Sequence, residues 1–420
     1  SFALKSTLAY HADTKKLGGV DPATYDPMQG AIYYPHKYVA KFGNPMRRMM
    51  MSMMKAPPIP AKFKVVDDRS DLFDVASLLW GESEFYYFTD PSIHDNYDAL
   101  FGDPKWMAKD MPEAEIEKAL ATPGKTLFPK DDPHKLAMGI TVVNFKNMMG
   151  LHFNKAKGTL VDSWSPAGGQ GNHIAVENAG MAVVALANTY HRLHDVDKVR
   201  NGAKMLLTAQ ANFLLSQQEA DGSIANGFTL GSSITKDAST KTLLSQAFAI
   251  RAWLAAYQVT KEQKYLTAAT KTYEFMQDKL WSEQAGVYRT ALGANQSEYN
   301  GLVYGATLGA MREMAIAKQG QERQLITQHI DEYFVNVANK AGLQIAEINM
   351  TGEMIPPPTK VAEMMSQMNE LMKTNPDKAQ KMRMRMMDSD QDGVPKPKFV
   401  MGTKYGAAPV LAGKVVIATR

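Results

Sequence analysis

The stretch "FNKAKGTLVDSW" (residues 153–164) runs from the end of a helix-like segment through Gly158 into a short polar and apolar run. The same pattern returns at Gly222 in "QQEADGSIANGF" and at Gly286 in "WSEQAGVYRT", with a spacing of 64 residues each time. A looser copy follows 56 residues later at Gly342 in "NKAGLQIAEI". A period of about 60 residues with two helices and a turn per unit predicts a helical-hairpin repeat whose neighbours stack, because one hairpin cannot bury its own apolar faces.

The segments between these turns alternate between two kinds of helix. Residues 178–194 are apolar almost all round in their first half, which is typical of a helix enclosed on several sides. Residues 198–217 instead confine Val199, Leu206 and Phe213 to one stripe, which predicts an outer helix. The predicted inner helices are 178–194, 244–259, 304–316 and a final one from residue 404, and the predicted outer helices are 198–217, 262–280 and 322–338. An earlier helix over residues 135–152 leads into the first glycine turn.

This alternation resembles the α/α-toroid class, which includes six-hairpin glycosidases and sugar epimerases. The resemblance spans residues 71–340 and the last helix, and it concerns architecture, with no specific family identified. It implies an all-α fold: a complete or incomplete α/α toroid of helical hairpins with short β-like turns, whose binding site lies in loops at one end of the ring. The predicted organisation is an extended N-terminal arm (1–64), a toroid domain (65–349 and 401–420) and a C-terminal insertion (350–400).

The amino-acid composition excludes several classes of function. The 47 basic and 43 acidic residues nearly balance, giving a formal charge of +4, and no nucleic-acid motif accompanies them, so no nucleic-acid partner is expected. Cysteine is absent, which excludes disulfides, thiolate metal sites and covalently attached haem in this chain. We expect no transmembrane segment, because no apolar run reaches about 18 residues. A cysteine-free chain favours a periplasmic or extracellular location.

Methionine is unusually frequent, with 28 residues, many of them clustered outside the repeat. Thioethers are soft ligands that suit Cu(I), so copper is one hypothesis, although interleaved Arg and Lys side chains repel a cation. The same methionines could instead pack against the ring or form an adaptable surface for a protein partner, as is expected of a helix over residues 361–373. The candidate copper ligands are Met49, Met50, Met53, Met54, Met382, Met384 and Met386.

The sequence "DSDQDG" in the insertion places Asp388, Asp390 and Asp392 at alternate positions before a glycine. This is the opening of a calcium loop, in which carboxylates turn towards one hard cation. A complete EF-hand is excluded because Phe399 stands at the twelfth position. The sequence therefore leaves two interpretations open, a short calcium site or a solvated acidic turn.

The most site-like stretch is "VDSWSPAGGQGNHIAVENAG" (residues 161–180), a glycine-rich connection that enters the first inner helix. Carboxylates in such loops could form the acid and base pair that cleavage of a glycosidic bond requires. They could equally cap a helix or close a turn. The catalytic candidates are Asp162, Glu177 and Asp221, and the candidate sugar-binding residues are Trp164, His173 and Tyr299.

Two function classes follow. The first is an extracytoplasmic binding or accessory subunit, whose toroid is a scaffold and whose arm and insertion bind copper or another protein subunit. The second is a carbohydrate-active enzyme, a glycoside hydrolase or epimerase-like protein acting on a glycan through carboxylates in the toroid cavity. The sequence favours the first narrowly.

Overall fold

The computed structural model describes residues 24–42, 60–90, 133–348, 354–355, 358–387 and 408–420. Its described part is dominated by helices joined by short strands, which confirms the predicted all-α class with β-like turns. The helices are α1 (Leu72–Phe88), α2 (Pro133–Asn147), α3 (Val176–Arg192), α4 (Asp197–Gln217), α5 (Leu243–Thr260), α6 (Gln263–Phe275), α7 (Gly301–Ala317), α8 (Gly320–Tyr333), α9 (Pro358–Thr374) and α10 (Pro376–Met387).

The strands are short and pair locally. Antiparallel pairing joins β1 to β2, β4 to β5, β11 to β12 and β13 to β17, and three-stranded sheets have the orders β3-β6-β7, β10-β9-β8 and β15-β14-β16. Their bounds are β1 (Lys37–Phe42), β2 (Pro60–Asp67), β3 (Ser70–Asp71), β4 (Phe153–Asn154), β5 (Thr159–Leu160), β6 (Ser163–Ser165), β7 (Gly169–Gln170), β8 (His173–Ala175), β9 (Gly227–Leu230), β10 (Ile234–Lys236), β11 (Trp281–Ser282), β12 (Val287–Tyr288), β13 (Gln296–Tyr299), β14 (Gln344–Ile348), β15 (Met354–Ile355), β16 (Ala408–Leu411) and β17 (Val415–Ala418).

The four glycines of the repeat adopt the same backbone conformation. Their φ angles are 64° at Gly158, 86° at Gly222, 59° at Gly286 and 77° at Gly342, all in the left-handed region that favours glycine. Three helices also end alike, because a π-helical turn extends α2, α6 and α8 up to His152, Leu280 and Lys340, respectively. The equivalence that the sequence spacing predicted is therefore present in the backbone.

The chain forms two compact units, the first drawn from residues 1–218, 225–239 and 251–268 and the second from the remainder. In the first unit, α1 packs against α2 and α3, and α3 packs against α4. The predicted inner character of α3 is confirmed, since eleven of its 17 residues, from Val176 to Thr189, are buried. Leu72, Leu79 and Tyr86 of α1 are also buried, so the apolar burial that stabilises this unit is centred on two inner helices.

In the second unit, α7 packs against α8 around a cluster of tyrosines. The ring of Tyr333, fully buried, lies 5.7 Å from those of Tyr288 and Tyr304 and 5.8 Å from that of Tyr299, measured between centroids. Burial raises the pKa of Tyr304 to about 12, and the hydroxyl groups of this cluster stay protonated at any physiological pH. The cluster is thus neutral packing.

The C-terminal segment departs from the prediction. The final inner helix expected from residue 404 is wrong, because β16 and β17 occupy residues 408–411 and 415–418. In these strands Val410 lies opposite Ala346 of β14, and Val416 opposite Glu298 of β13. The small residues suggested a helix, but the β-branched run "VVIA" pairs with strand edges of the repeat instead.

Within its described residues, 354–355 and 358–387, the insertion contains two helices rather than one. The helix expected at 361–373 lies within α9, and α10, which the sequence did not predict, follows after Asn375. Of the predicted metal ligands, Met382, Met384 and Met386 lie on α10. The remaining predicted ligands lie outside the described residues; they are Met49, Met50, Met53, Met54, Asp388, Asp390 and Asp392. Copper and calcium binding therefore stay predictions.

No helix within the described residues is both long enough and apolar enough to cross a bilayer.

The repeat turns give a test of stability. A Cβ at Gly222 would overlap the backbone carbonyl of Lys271, whereas a Cβ at Gly342 would meet open space. We expect Gly342→Ala to lower the free energy of unfolding by about 1–2 kcal/mol, the cost of a left-handed non-glycine residue. Gly222→Ala should cost more, because backbone overlap adds to the same strain. Urea unfolding of both variants measures the difference, and equal losses would show that the close approach at Gly222 is not present.

Candidate functional site

Asp162 lies between β5 and β6, where its backbone joins two neighbouring parts of the first unit. Its N–H donates to the carbonyl of His173 over 2.8 Å, and its own carbonyl accepts the N–H of Leu72, also at 2.8 Å. Leu72 begins α1, and His173 begins the strand that leads into α3. Asp162 is therefore fixed beside the N-terminal ends of both inner helices.

The Asp162 carboxylate lies at the N-terminal end of α3. It accepts the N–H of Ala175 at 3.0 Å, the side-chain amide of Asn178 at 2.8 Å and Nδ1 of His173 at 2.6 Å. Ala175 is the N-cap residue of α3, and the Asp162 carboxylate, from the connection between β5 and β6, accepts its N–H. A carboxylate with these three donors is held in one orientation, which suits a positioning role.

His173 is held between two carboxylates. Its Nδ1 faces Asp162, and its Nε2 lies 3.2 and 3.3 Å from the two carboxylate oxygens of Asp237. Partial burial opposes a charge on the ring, but the hydrogen bonds to Asp162 and Asp237 outweigh it and raise the pKa of His173. The imidazolium is thereby stabilised, with Nε2 the more loosely bound end of the ring.

Gly227 permits this arrangement by lacking a side chain. It lies in β9 opposite Ala175 of β8, and a Cβ at this position would come within 2.6 Å of Asp237 Oδ2 and 2.8 Å of His173 Nε2. No ordinary Cβ contact is that short, so any larger residue would separate the histidine from Asp237. The glycine is needed here for space and not for an unusual backbone angle.

Glu177 stands in the first turn of α3, one turn from the His173 strand. Burial raises the pKa of Glu177, the negative charge of Asp162 raises it further, and His173 partly offsets both effects. The side chain is partly exposed. Glu177 is thus a carboxylate that is more basic than usual, in the electrostatic field of the Asp162 and His173 pair.

Asp237 is the functional residue that the sequence interpretation missed. It follows β10, and its N–H donates to the carbonyl of Gly227 over 2.9 Å. Asp237 and His173 are 64 residues apart, which is the spacing of the glycine repeat, and both precede an inner helix. The period that revealed the hairpins could therefore have pointed to this aspartate.

The predicted sugar-binding aromatics differ in accessibility. Trp164 in β6 is partly exposed, and the ring of Tyr33 meets it edge-on at 5.4 Å between centroids. Tyr299 is fully buried, and its hydroxyl donates to the backbone carbonyl of Tyr288. The sugar-stacking role predicted for Tyr299 is wrong, because its ring is enclosed by protein. The ring of Trp164 is partly exposed and is still accessible to a ligand.

Asp221 belongs to a turn in the second unit. Its carboxylate accepts the N–H of Ser223 at 3.0 Å and the hydroxyl of the same residue at 2.5 Å, and the Lys241 ammonium lies 3.7 Å away. The slight burial of this carboxyl is outweighed by the hydrogen bonds from Ser223, which lower the pKa of Asp221. These contacts match the alternative that the sequence left open, a turn-closing aspartate.

A second histidine and carboxylate group lies at the start of α1. His36 Nδ1 is 2.8 Å from Asp74 Oδ2 and 3.9 Å from Asp71 Oδ2, and one ligand atom from each of the three residues lies within 4.8 Å of the others. Asp71 also caps α1 through the N–H of Phe73, and the Arg69 guanidinium lies 3.9 Å from it. These ion pairs and hydrogen bonds explain the group as a structural link between the N-terminal arm and α1.

No family model matches the chain, and no curated protein sequence matches it either. The chain is similar to the solved structure of a D-mannose isomerase, with 12% identity over 70% of this chain and 65% of that chain and a TM-score of 0.46. It spans just under two thirds of that isomerase. The cellobiose 2-epimerase from Spirochaeta thermophila DSM 6192 is similar over 92% of this chain and 88% of that chain, with 13% identity and a TM-score of 0.46.

An unsaturated glucuronyl hydrolase from Bacillus sp. GL1 is similar over 65% of this chain and 76% of that chain, with 16% identity and a TM-score of 0.40.

The pKa values of His173 and His152 should be shifted in opposite directions from that of a free histidine. His173 should protonate with a midpoint above the ordinary 6.5, whereas fully buried His152 should protonate only near pH 4, because burial favours its neutral ring. Side-chain NMR measures both midpoints. Asp237→Asn should move only the His173 midpoint downwards, and the control Asp278→Asn, at an exposed ion pair with Lys279, should move neither. A His173 midpoint at or below 6.5 would contradict the paired geometry.

Proposed function

We propose that the chain is a carbohydrate-active enzyme that uses His173 and Glu177 as a general acid and base. The observation that carries this proposal is the histidine held between Asp162 and Asp237 beside a carboxylate of raised pKa. Paired titratable groups with pKa values shifted by their surroundings are typical of acid and base catalysis.

The two pKa shifts assign the roles. Between the raised pKa of Glu177 and the raised pKa of His173, the carboxylate is ionised and the imidazole is protonated. Glu177 then accepts a proton and His173 donates one from Nε2, the nitrogen that Asp162 does not hold. A sugar hydroxyl or carbonyl oxygen would take the place of Asp237 at Nε2, while Asp162 keeps the ring in position.

The surroundings suit a sugar. Trp164 is partly exposed in β6, and its cross-strand partner Gln170 in β7 is exposed, which supplies an aromatic face beside an amide. Sugars are bound by such combinations of aromatic faces and polar side chains. Glycoside hydrolysis and epimerisation both need a positioned acid and base, and they differ in whether a C–O or a C–H bond breaks.

The accessory-subunit hypothesis receives no specific support from the described residues. Copper, calcium and a protein partner remain predictions for the methionine-rich and aspartate-rich segments. Placement outside the cytoplasm also belongs to this proposal and is supported by the absence of cysteine.

Activity can be tested with D-mannose, cellobiose, an α-mannan and an unsaturated glucuronyl disaccharide, with products followed by NMR in D₂O. Deuterium at a sugar carbon marks epimerisation or isomerisation, and bond cleavage without it marks hydrolysis. We expect turnover of at least one sugar, with kcat/KM rising through the pKa of Glu177 and falling through that of His173.

His173→Gln and Glu177→Gln should each lower kcat by about 10²–10⁴-fold. Glu283→Gln, at an exposed carboxylate, is the matched control and should keep the full rate. Unchanged rates in both site variants, or no turnover of any of these sugars by the folded protein, would exclude the proposed function.

A further inference from the structure

The far end of α3 carries a concentration of positive charge. Its 17 residues place that end about 25 Å from the Asp162 carboxylate. His191 and Arg192 form its last turn, Arg200 and Lys204 lie near the start of α4, and Lys261 follows the end of α5. All five residues belong to the first unit. The cluster is therefore distinct from the proposed catalytic site.

Tyr190 is the common neighbour of three of these side chains. The guanidinium carbon of Arg200 lies 4.7 Å from the Tyr190 ring centroid, the Lys204 ammonium 6.0 Å from it, and the His191 ring 5.3 Å from it. The Tyr190 ring thus lies close to two cationic side chains of α4 and to the imidazole of its neighbour His191.

The pKa of His191 is affected by the neighbouring positive charges. Partial burial lowers the pKa of His191, and the positive charges of Lys261, Arg192 and Arg200 lower it further, in that order. The ring therefore lies within electrostatic reach of cations from three different elements. No carboxylate contributes to this shift.

Counter-charges are scarce in the cluster. Arg192 pairs with Glu84 at 3.1 Å and lies over the Tyr87 ring, so its charge is partly balanced. Within the part of the chain that the structure describes, Arg200, Lys204 and Lys261 have no carboxylate within 4.0 Å. The Nε atoms of Arg192 and Arg200 are buried and have no hydrogen-bond partner among the described residues. Buried donors without a partner are uncommon in folded proteins.

Helix dipoles explain only part of this arrangement. Cations at the C-terminal ends of α3 and α5 are favourable, which accounts for Arg192 and Lys261. Arg200 lies in the first turn of α4, where the dipole disfavours cations and favours an anion, and Lys204 lies one turn further along the same helix. Lys261 has a φ of 63°, the one left-handed non-glycine residue among those described. Left-handed backbone at the residue that follows a helix is a common way to end it, and the Lys261 N–H donates to the carbonyl of Tyr257.

We propose that Arg200, Lys204 and Lys261, together with His191, bind an oxyanion of the phosphate or sulfate type. The group would accept hydrogen bonds from the guanidinium and ammonium groups and would face the N-terminal turn of α4. The oxyanion could be a free inorganic ion or the anionic substituent of a sugar. The site is independent of the catalytic proposal, because it uses none of the same residues.

The test is calorimetric titration of the full chain at low salt with inorganic phosphate, glucose 6-phosphate and, as a neutral control, glucose. The two phosphates should bind and glucose should not bind at this cluster. Similar affinities for both phosphates indicate a free-oxyanion site, and about tenfold tighter binding of the sugar phosphate indicates that a phosphosugar is recognised.

Arg200→Gln and Lys261→Gln should each weaken phosphate binding by at least about tenfold, since each removes a direct ligand. Lys264→Gln in α6 is the matched control, because Lys264 is paired with Glu262 at 2.6 Å, and it should bind as the wild type does. Circular dichroism confirms that the variants fold. No binding by the wild type up to about 10 mM phosphate, or equal loss in the Lys264 variant, would overturn the assignment.

Discussion

The carboxylate of Asp162 is the interaction on which the site depends. A partly buried carboxylate without donors would cost several kcal/mol, and here three donors satisfy it: the N–H of Ala175, the amide of Asn178 and Nδ1 of His173. The same residue joins the start of α1 to β8 through its backbone. One aspartate therefore bonds to the residue that begins α3, links it to the start of α1 and orients the histidine that we assign as the acid.

The repeat period made much of the fold predictable. Glycines 64 residues apart marked turns that need left-handed backbone, a requirement that only glycine meets without strain, and each of them has a positive φ. Helix type followed from apolar periodicity, because α3 is buried nearly all round while α4 buries a stripe that includes Leu206 and Phe213. The loop entering α3 was correctly singled out, since His173 and Asp162 meet there.

Other features depend on contacts that no local pattern encodes. Residues 408–418 read as a helix because Ala and Gly are frequent, yet they form strands whose partners lie more than a hundred residues earlier in β13 or about sixty earlier in β14. Asp237 has no distinctive neighbours in sequence and gains its role only when β9 and β10 bring it to His173. Tyr299 looked accessible, but α8 packs against it through Tyr333. In each of these cases the outcome depends on a contact between residues that are far apart in the sequence.

The most direct measurement is amide hydrogen exchange at Ala175 in the wild type, in Asp162→Ala and in Asp237→Ala. If Asp162 anchors the site, its removal speeds exchange at Ala175, because that N–H loses its acceptor, while removal of Asp237 leaves Ala175 protected. Equal protection of Ala175 in a folded Asp162→Ala protein would contradict the central role of this carboxylate.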